Sequence, residues 1–335
     1  MATTRVREAL GPLSDLIGRL RANPAWLRKH DLTLVSEGVV EVPDEVGDDA
    51  VALPDSDGFL LLAAEVMWPP LVEAEPELAG RHAVLANAND IYAMGGRPIA
   101  LLDTLLAPGE TEATAVLRGI AAGAARYGIP ILGGHLTMGA DSTSLAAFMA
   151  GRALRILSGR RAAARDVLML LTSPQGRFHE LFPFWECSAD RSDEDLRRDL
   201  EVLPEIAEAG LCDAARDVSM PGVLGSALQF LEGSGVGAEI ALETLPFPPE
   251  ATGREEIWLN SFPSYAFLLA VEEANVDAVT ARAVARGRVC VPIGRVTSDR
   301  QVWLTLGSER GCVWDFEREA FTGFGAVKDQ SALAH

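Results

Sequence analysis

Gly47-Asp48-Asp49-Ala50-Val51-Ala52-Leu53 sets two adjacent carboxylates behind a glycine, at the mouth of an apolar, strand-like run. Crowded acidic side chains repel one another and lose solvation, so a pair just ahead of a buried strand calls for a cation or a donor. A divalent metal is the first expectation. A solvated turn is the competing reading, since Gly-Asp-Asp is also a good turn sequence.

Further acids stand at similar punctuation points. Phe59 to Val66 reads as a buried strand ending near Glu65, and Asn87-Ala88-Asn89-Asp90-Ile91-Tyr92-Ala93-Met94-Gly95-Gly96 reads as the end of a helix. Asn87 and Asp90 are three apart, which puts both on one helix face. Ile129-Pro130-Ile131-Leu132-Gly133-Gly134-His135 is a short apolar strand closed by a glycine pair and a potential ligand. Each of these segments ends in an oxygen or nitrogen donor. Carboxylate oxygens suit Mg²⁺, which proteins commonly hold together with substrate phosphates.

In this order, GDDA, an acidic strand end, N-x-x-D-x-x-A-M-G-G-x-P and a strand ending in GGH resemble the ATP-binding half of the aminoimidazole ribonucleotide synthetase (PurM-like) superfamily. That superfamily includes thiamine-monophosphate kinase, selenophosphate synthetase and the hydrogenase maturation protein HypE. The second half agrees: Arg165-Asp166 followed by the apolar run Val167 to Thr172 and Gly176 is similar to its domain opening, and Asp217-Val218-Ser219-Met220-Pro221-Gly222-Val223-Leu224-Gly225 to its D-V-[ST]-x-x-G-L signature. The likeness runs from about residue 45 to about residue 306.

The resemblance implies a mixed α/β fold of two domains: residues 1–155, an N-terminal helix plus an ATP- and metal-binding domain, and residues 165–335, a C-terminal α/β domain. It implies that Asp48, Asp49, Glu65 and Asp90 hold Mg²⁺, with Mn²⁺ as a substitute, on ATP. Asn87, Gly133 and Gly134 would join Asp48, Asp49 and Asp90 in the nucleotide site, with His135 and Asp217 catalytic. The implied assembly is a homodimer with paired N-terminal sheets.

This chain also departs from the pattern. Glu65 stands where the family usually has Asp, and Gly-Gly-His, shared with the selenophosphate synthetase branch, replaces the commoner Gly-Gly-Asp or Gly-Gly-Glu. A core histidine with satisfied nitrogens is the alternative for His135. The kinase branch has a second acid where Met220 stands. Cys187 is the first cysteine, whereas selenophosphate synthetases need a Cys or selenocysteine near the amino terminus, and the sequence given closes Gln330-Ser331-Ala332-Leu333-Ala334-His335 without the reactive cysteine of HypE. Both specialised activities are disfavoured. From Asp217 to Gly225 a strand should run into a helix start, where free N–H groups and the close approach allowed by Gly222 and Gly225 suit a phosphate-bearing ligand; an ordinary helix cap is the alternative. This turn is expected to bind the acceptor, apart from the acidic cluster.

Composition narrows the classes. Lys+Arg of 29 against Asp+Glu of 48 gives a net charge of −19, which repels phosphate backbones and anionic lipid. Nucleic acid and membranes are therefore not expected partners, and no run of about 18 apolar residues is present. The four cysteines have no C-x-x-C spacing, as expected for reduced thiols in a soluble, cytoplasmic protein. A chain of 335 residues exceeds one comfortable core.

Periodicity predicts one amphipathic opening helix through Val6, Leu10, Leu13, Leu16, Ile17 and Leu20, packed on its own domain. Strands are predicted at 50–53, 59–66, 99–106, 129–132 and 144–154, with helices at 77–94 and 111–127 between them. After the boundary at Arg155–Arg165 come helices at 193–209, 222–232 and 276–286 and strands at 167–172, 238–242, 265–271, 289–296 and 301–306. The functional expectation is an ATP- and Mg²⁺-dependent enzyme, kinase-like or synthetase- or ligase-like, that phosphorylates or activates an unidentified small-molecule acceptor. The alternative is a nucleotide-binding partner or maturation protein without turnover.

Overall fold

A computed structural model of the chain describes residues 2–36, 46–188 and 190–325. The terminal hexapeptide 330–335 lies outside the described residues.

The opening amphipathic stretch is not one helix. Gly11 adopts φ +73° and Pro12 supplies no N–H, so the chain breaks into α1 (Ala2–Leu10) and α2 (Leu13–Arg21). A third helix, α3 (Pro24–Lys29), starts at Asn23, whose side chain accepts the Ala25 N–H at 2.8 Å. These helices pack on the second half of the chain. Leu13 N–H donates to Glu309 at 2.9 Å, Arg19 pairs with Glu256 at 2.9 Å and Arg21 with Glu319 at 2.6 Å. Trp26, 2% exposed, meets Trp314 and Phe321 edge-on. The predicted packing on the N-terminal domain fails because the apolar stripe Leu13, Leu16 and Leu20 says only that some surface is buried, and acids on the far half supply the ion pairs.

The first layered unit is a five-stranded sheet, β1 (Val51–Asp55), β2 (Gly58–Val66), β3 (Arg97–Ala107), β4 (Ile131–Met138) and β5 (Ser144–Ala153), ordered β1-β2-β5-β3-β4. Alternation on β5 buries Leu145, Ala147 and Met149 on the face covered by two helices, Pro76–Ala93, which packs on β5, and Glu110–Tyr127, which packs on β3 and β4. Those helices touch closely: a Cβ at Gly119 would lie 2.0 Å from the Glu77 carbonyl. The opposite face carries the exposed Leu62, Val66, Leu102, Leu106 and Phe148.

The predicted strand 129–132 is displaced to Ile131–Met138, so Gly133, Gly134 and His135 lie within the strand and do not follow it. The Pro130 carbonyl accepts Leu101 N–H at 2.9 Å, and parallel pairing with β3 then carries the chain on through His135.

The second unit is a seven-stranded mixed sheet. From one edge its strands are Glu309–Asp315, Gln301–Leu306, Gly237–Ala241, Val289–Thr297, β6 (Val167–Thr172), Ala266–Val271 and Ala214–Asp217. β6 and Ala266–Val271 are buried at every position, which explains their unbroken apolar sequence. The predicted helix 193–209 is two helices, Asp193–Leu200 and Val202–Glu208. A small sheet of Arg177–Phe178, Phe184–Glu186 and Phe262–Pro263 has no counterpart among the predicted strands, because strands of two or three residues show no periodicity.

Candidate active site

Three carboxylates meet from three distant segments. Asp49 leads into β1, Asp90 sits in the last turn of the Pro76–Ala93 helix and Asp217 ends the edge strand Ala214–Asp217; each offers an oxygen within 4.8 Å of the others. Asp217 N–H donates to Asp49 Oδ2 at 2.9 Å, tying the two halves together. Asp217 was expected apart from the acidic cluster, with the acceptor alone. It is a member of the cluster, because antiparallel pairing of its strand with Ala266–Val271 aims that edge at the first domain.

Gly47 makes the entry turn with φ +105°, and a Cβ there would lie 2.5 Å from the Phe324 ring. Beyond it the two neighbouring acids diverge. Asp48, expected as a fellow ligand, has both oxygens engaged: Oδ2 accepts from Ser158 Oγ at 2.5 Å and Oδ1 from Gly159 N–H at 2.8 Å and Asp49 N–H at 3.0 Å. Asp48 thus braces the inter-domain connection, while Asp49, with its side chain 2% exposed, faces the other acids.

Burial first, then mutual repulsion, pushes Asp90 well above the ordinary carboxylate range, with Asp217, Glu65 and Asp49 as the repelling neighbours. Asp49 is likewise raised by burial, against the pull of Arg216 at 3.3 Å. Glu65 is raised to about 7 by burial, with Lys29 opposing and Asp217 adding. The Lys29 ammonium, at the end of α3, is lowered by burial and by Arg216, while Glu65, Asp217 and Asp49 hold it up. Neither Lys29 nor Arg216 was singled out from sequence. Lys29 looks like any polar position of an amphipathic segment, and only the docking of Trp26, whose indole donates to the Pro221 carbonyl at 3.0 Å, delivers α3 to the site.

The remaining candidates do not converge here. Asn87 is fully buried within its helix, donates to the Ala83 carbonyl at 2.9 Å and leaves its own Oδ1 without a partner. Gly134 lies on the inner face of β4 in a row with Asp103, Ala147 and Glu65, and its missing side chain admits the Asp103 carboxylate, 2.7 Å from where a Cβ would be. Gly133 and His135 belong to the opposite face. His135 shares its row with Thr104, Ala146 and Val66, and its exposed ring approaches Thr137 Oγ1 at 3.2 Å. The glycines of the Asp217 turn are also occupied. A Cβ at Gly222 would lie 2.1 Å from the Leu259 carbonyl and one at Gly225 2.4 Å from Pro221, so close packing by the protein itself explains both, contrary to the phosphate-approach reading.

Beside the acids lies a cavity of about 110 Å³. Glu65, Asp90 and Asp217 border it together with Trp68, His82, Phe184, Phe262, Ser219 and Met220.

Comparison with known proteins places this arrangement. A similar uncharacterized protein of Synechocystis sp. is 38% identical over 319 residues, covering 93% of this chain and 98% of that protein. The selenide, water dikinase of Burkholderia pseudomallei is 31% identical over 62% of this chain and 60% of the enzyme. Among solved structures, T. maritima PurL complexed with ATP superposes with a TM-score of 0.70 at 18% identity, over 87% of this chain and 51% of that one. AaThiL complexed with AMPPCP and TMP gives 0.64 at 20% identity, over 85% and 95%. These likenesses bear on fold. The profile of the AIR synthase related protein N-terminal domain matches residues 47–153 and that of the C-terminal domain residues 163–306; the chain belongs to the AIR synthase related family, with its PurM-like two-domain fold.

Proposed function

We propose that the protein uses Mg·ATP to phosphorylate or activate a small molecule. The observation that carries this reading is the convergence of Asp49, Asp90 and Asp217, with Glu65 beside them, in a buried space where, among the described residues, Lys29 and Arg216 oppose their charge. An all-oxygen donor set with surplus negative charge fits a hard divalent cation. Asp49, Asp90 and Asp217 would hold Mg²⁺, which when bound neutralises charge on the triphosphate and on the phosphoryl group in transfer. Arg216 fixes Asp49, and the Asp217 N–H bond to Asp49 keeps the two halves in register. Family relatives named as a dikinase, and structural neighbours solved with ATP or AMPPCP, support the reading.

The experiment is a thermal shift with ATP or AMPPCP, with and without Mg²⁺, followed by ADP release in the presence of candidate acceptors. Stabilisation that requires Mg²⁺ is expected, because uncompensated carboxylates repel the triphosphate. Equal stabilisation in excess chelator would refute the metal-mediated reading, and metal-dependent binding with no turnover on any acceptor would favour a non-enzymatic nucleotide-binding partner.

We also assign the exposed apolar face of the five-stranded sheet to a homodimer, since Leu62, Val66, Leu102, Leu106 and Phe148 form an apolar surface on a single chain. In that dimer His135 lies in the seam and not in the acidic site of its own chain. Sedimentation velocity tests this: a monomer at micromolar concentration would refute it.

A further inference from the structure

The cavity beside the acids has walls of uneven chemistry. Its charged lining groups are Glu65, Asp90 and Asp217. Trp68, Leu71, Phe184, Phe262 and Met220 make its wall largely apolar and aromatic. Among the described residues no lysine or arginine lines it. His82, 8% exposed, is tilted over Phe184 at 4.9 Å and lies 6.0 Å from Phe262, and burial drives it down to about 4, so the imidazole is neutral at physiological pH.

A group of three arginines stands behind His82 in a separate cavity of about 320 Å³ and is already engaged. Arg81 pairs with Glu77 at 2.8 Å, Arg126 donates to the Ser188 and Arg191 carbonyls at 2.5 and 3.0 Å, and Arg177 lies 3.9 Å from Asp190. An anionic acceptor in the acid-edged cavity would meet three carboxylates, whose excess charge Lys29 and Arg216 already fail to balance. A phosphate or carboxylate there is repelled and poorly solvated.

We propose that the acceptor is a small, uncharged alcohol with a flat or apolar body, seated between Trp68, Phe184 and Phe262 with its hydroxyl toward Asp90 and Asp217. The proposal rests on the phosphoryl-transfer reading and names its substrate class. A cavity of about 110 Å³ is below the roughly 300–1,000 Å³ of sites for drug-sized ligands, which limits the acceptor to a single small ring or a short chain. Ser219 brings a side-chain hydroxyl to the wall, a group able to orient the acceptor without adding charge. In the transfer the acceptor oxygen bonds to the γ-phosphorus of a nucleoside triphosphate as the bond to the β–γ bridging oxygen breaks. The hydroxyl proton leaves to solvent, and a nucleoside diphosphate departs.

The test uses the full chain loaded with Mg²⁺ and AMPPCP, with benzyl alcohol and 4-(hydroxymethyl)benzoate as matched probes, read by saturation-transfer NMR and titration. Benzyl alcohol should bind at least about tenfold more tightly than the anionic probe, a gap of about 1.4 kcal/mol. Phe262→Ala should weaken benzyl alcohol about fivefold or more while leaving Mg·AMPPCP affinity within about twofold, as expected for lost apolar contact. Met220→Arg, at a partly buried wall position, should reverse the preference between the probes. Tighter binding of the anion to wild type, or failure of benzyl alcohol to bind when nucleotide is bound, overturns the proposal. A Mg²⁺-dependent AMPPCP shift measured on the same samples separates the two readings: without that shift the nucleotide reading fails, and a benzyl alcohol preference still supports the neutral cavity.

Discussion

Two buried acidic centres in this molecule are built from the same residue type and end in opposite electrostatic states. Around Asp199, 1% exposed, Arg191 approaches at 2.6 Å and Arg288 at 3.3 Å, so the protein supplies more positive than negative charge. Around Asp90 four acids share Lys29 and Arg216. Burial raises both Asp199 and Asp90, but arginines pull Asp199 back whereas the neighbours of Asp90 are chiefly acids that raise it further. A buried carboxylate that the fold neutralises is structural. One left short of cations has its missing charge supplied from outside, and that deficit sets the active-site candidate apart from an ordinary buried ion pair.

The largest effect should come from breaking the balanced centre. Asp199→Ala leaves Arg288, 5% exposed, facing Arg191 without its counter-ion, and should cost about 3–5 kcal/mol in urea unfolding. A loss under about 1 kcal/mol would show that Asp199 is no more essential than a surface acid.

Next in size is filling the deficit. Mg·AMPPCP at about 100 times its dissociation constant should stabilise the wild type by about 2.7 kcal/mol, and Asp90→Asn should abolish that gain. Retention of the gain in this variant, by thermal shift, would place the cation elsewhere.

The unloaded acidic centre should also be sensitive to pH. Glu65 is raised to about 7 from its ordinary 4.5, first by burial, so the folded state holds this proton more tightly than the unfolded chain does. That contribution is fully present below about 4.5 and is lost as pH rises through about 7. Stability without nucleotide should therefore fall across this window, and Glu65→Gln should flatten the slope. A slope unchanged in Glu65→Gln would assign the proton to another group.

The smallest effect is the sharpest contrast with Asp199. Asp90→Asn removes one charge from a repelling group and should raise the stability of the nucleotide-free protein by about 1 kcal/mol, where Asp199→Ala lowers it. A melting temperature well below wild type would make Asp90 a structural residue like Asp199.

Much of this centre was legible along the chain. Asp49, Asp90 and Asp217 each stand at the end of a regular element, and strand and helix periods marked those ends to within a few residues. Face was harder to read. Gly134 and His135 are neighbours, yet pleating sends one toward Asp103 and the other to the exposed side, and a strand predicted at 129–132 would have ended before either. Asp48 and Asp49 were indistinguishable until the Ser158–Gly159 connection claimed the first. Lys29 had no local signal at all.

The sequence by itself therefore determined the element types, the mixed α/β architecture and the acids at the strand and helix ends, because backbone geometry repeats every two or 3.6 residues and leaves its period in the side chains. The tertiary structure alone decided which acids meet, which is diverted, which cations reach them and that an aromatic-walled pocket adjoins them. Those outcomes depend on packing between segments as far apart as Trp26 and Pro221, and no period along the chain encodes such a contact.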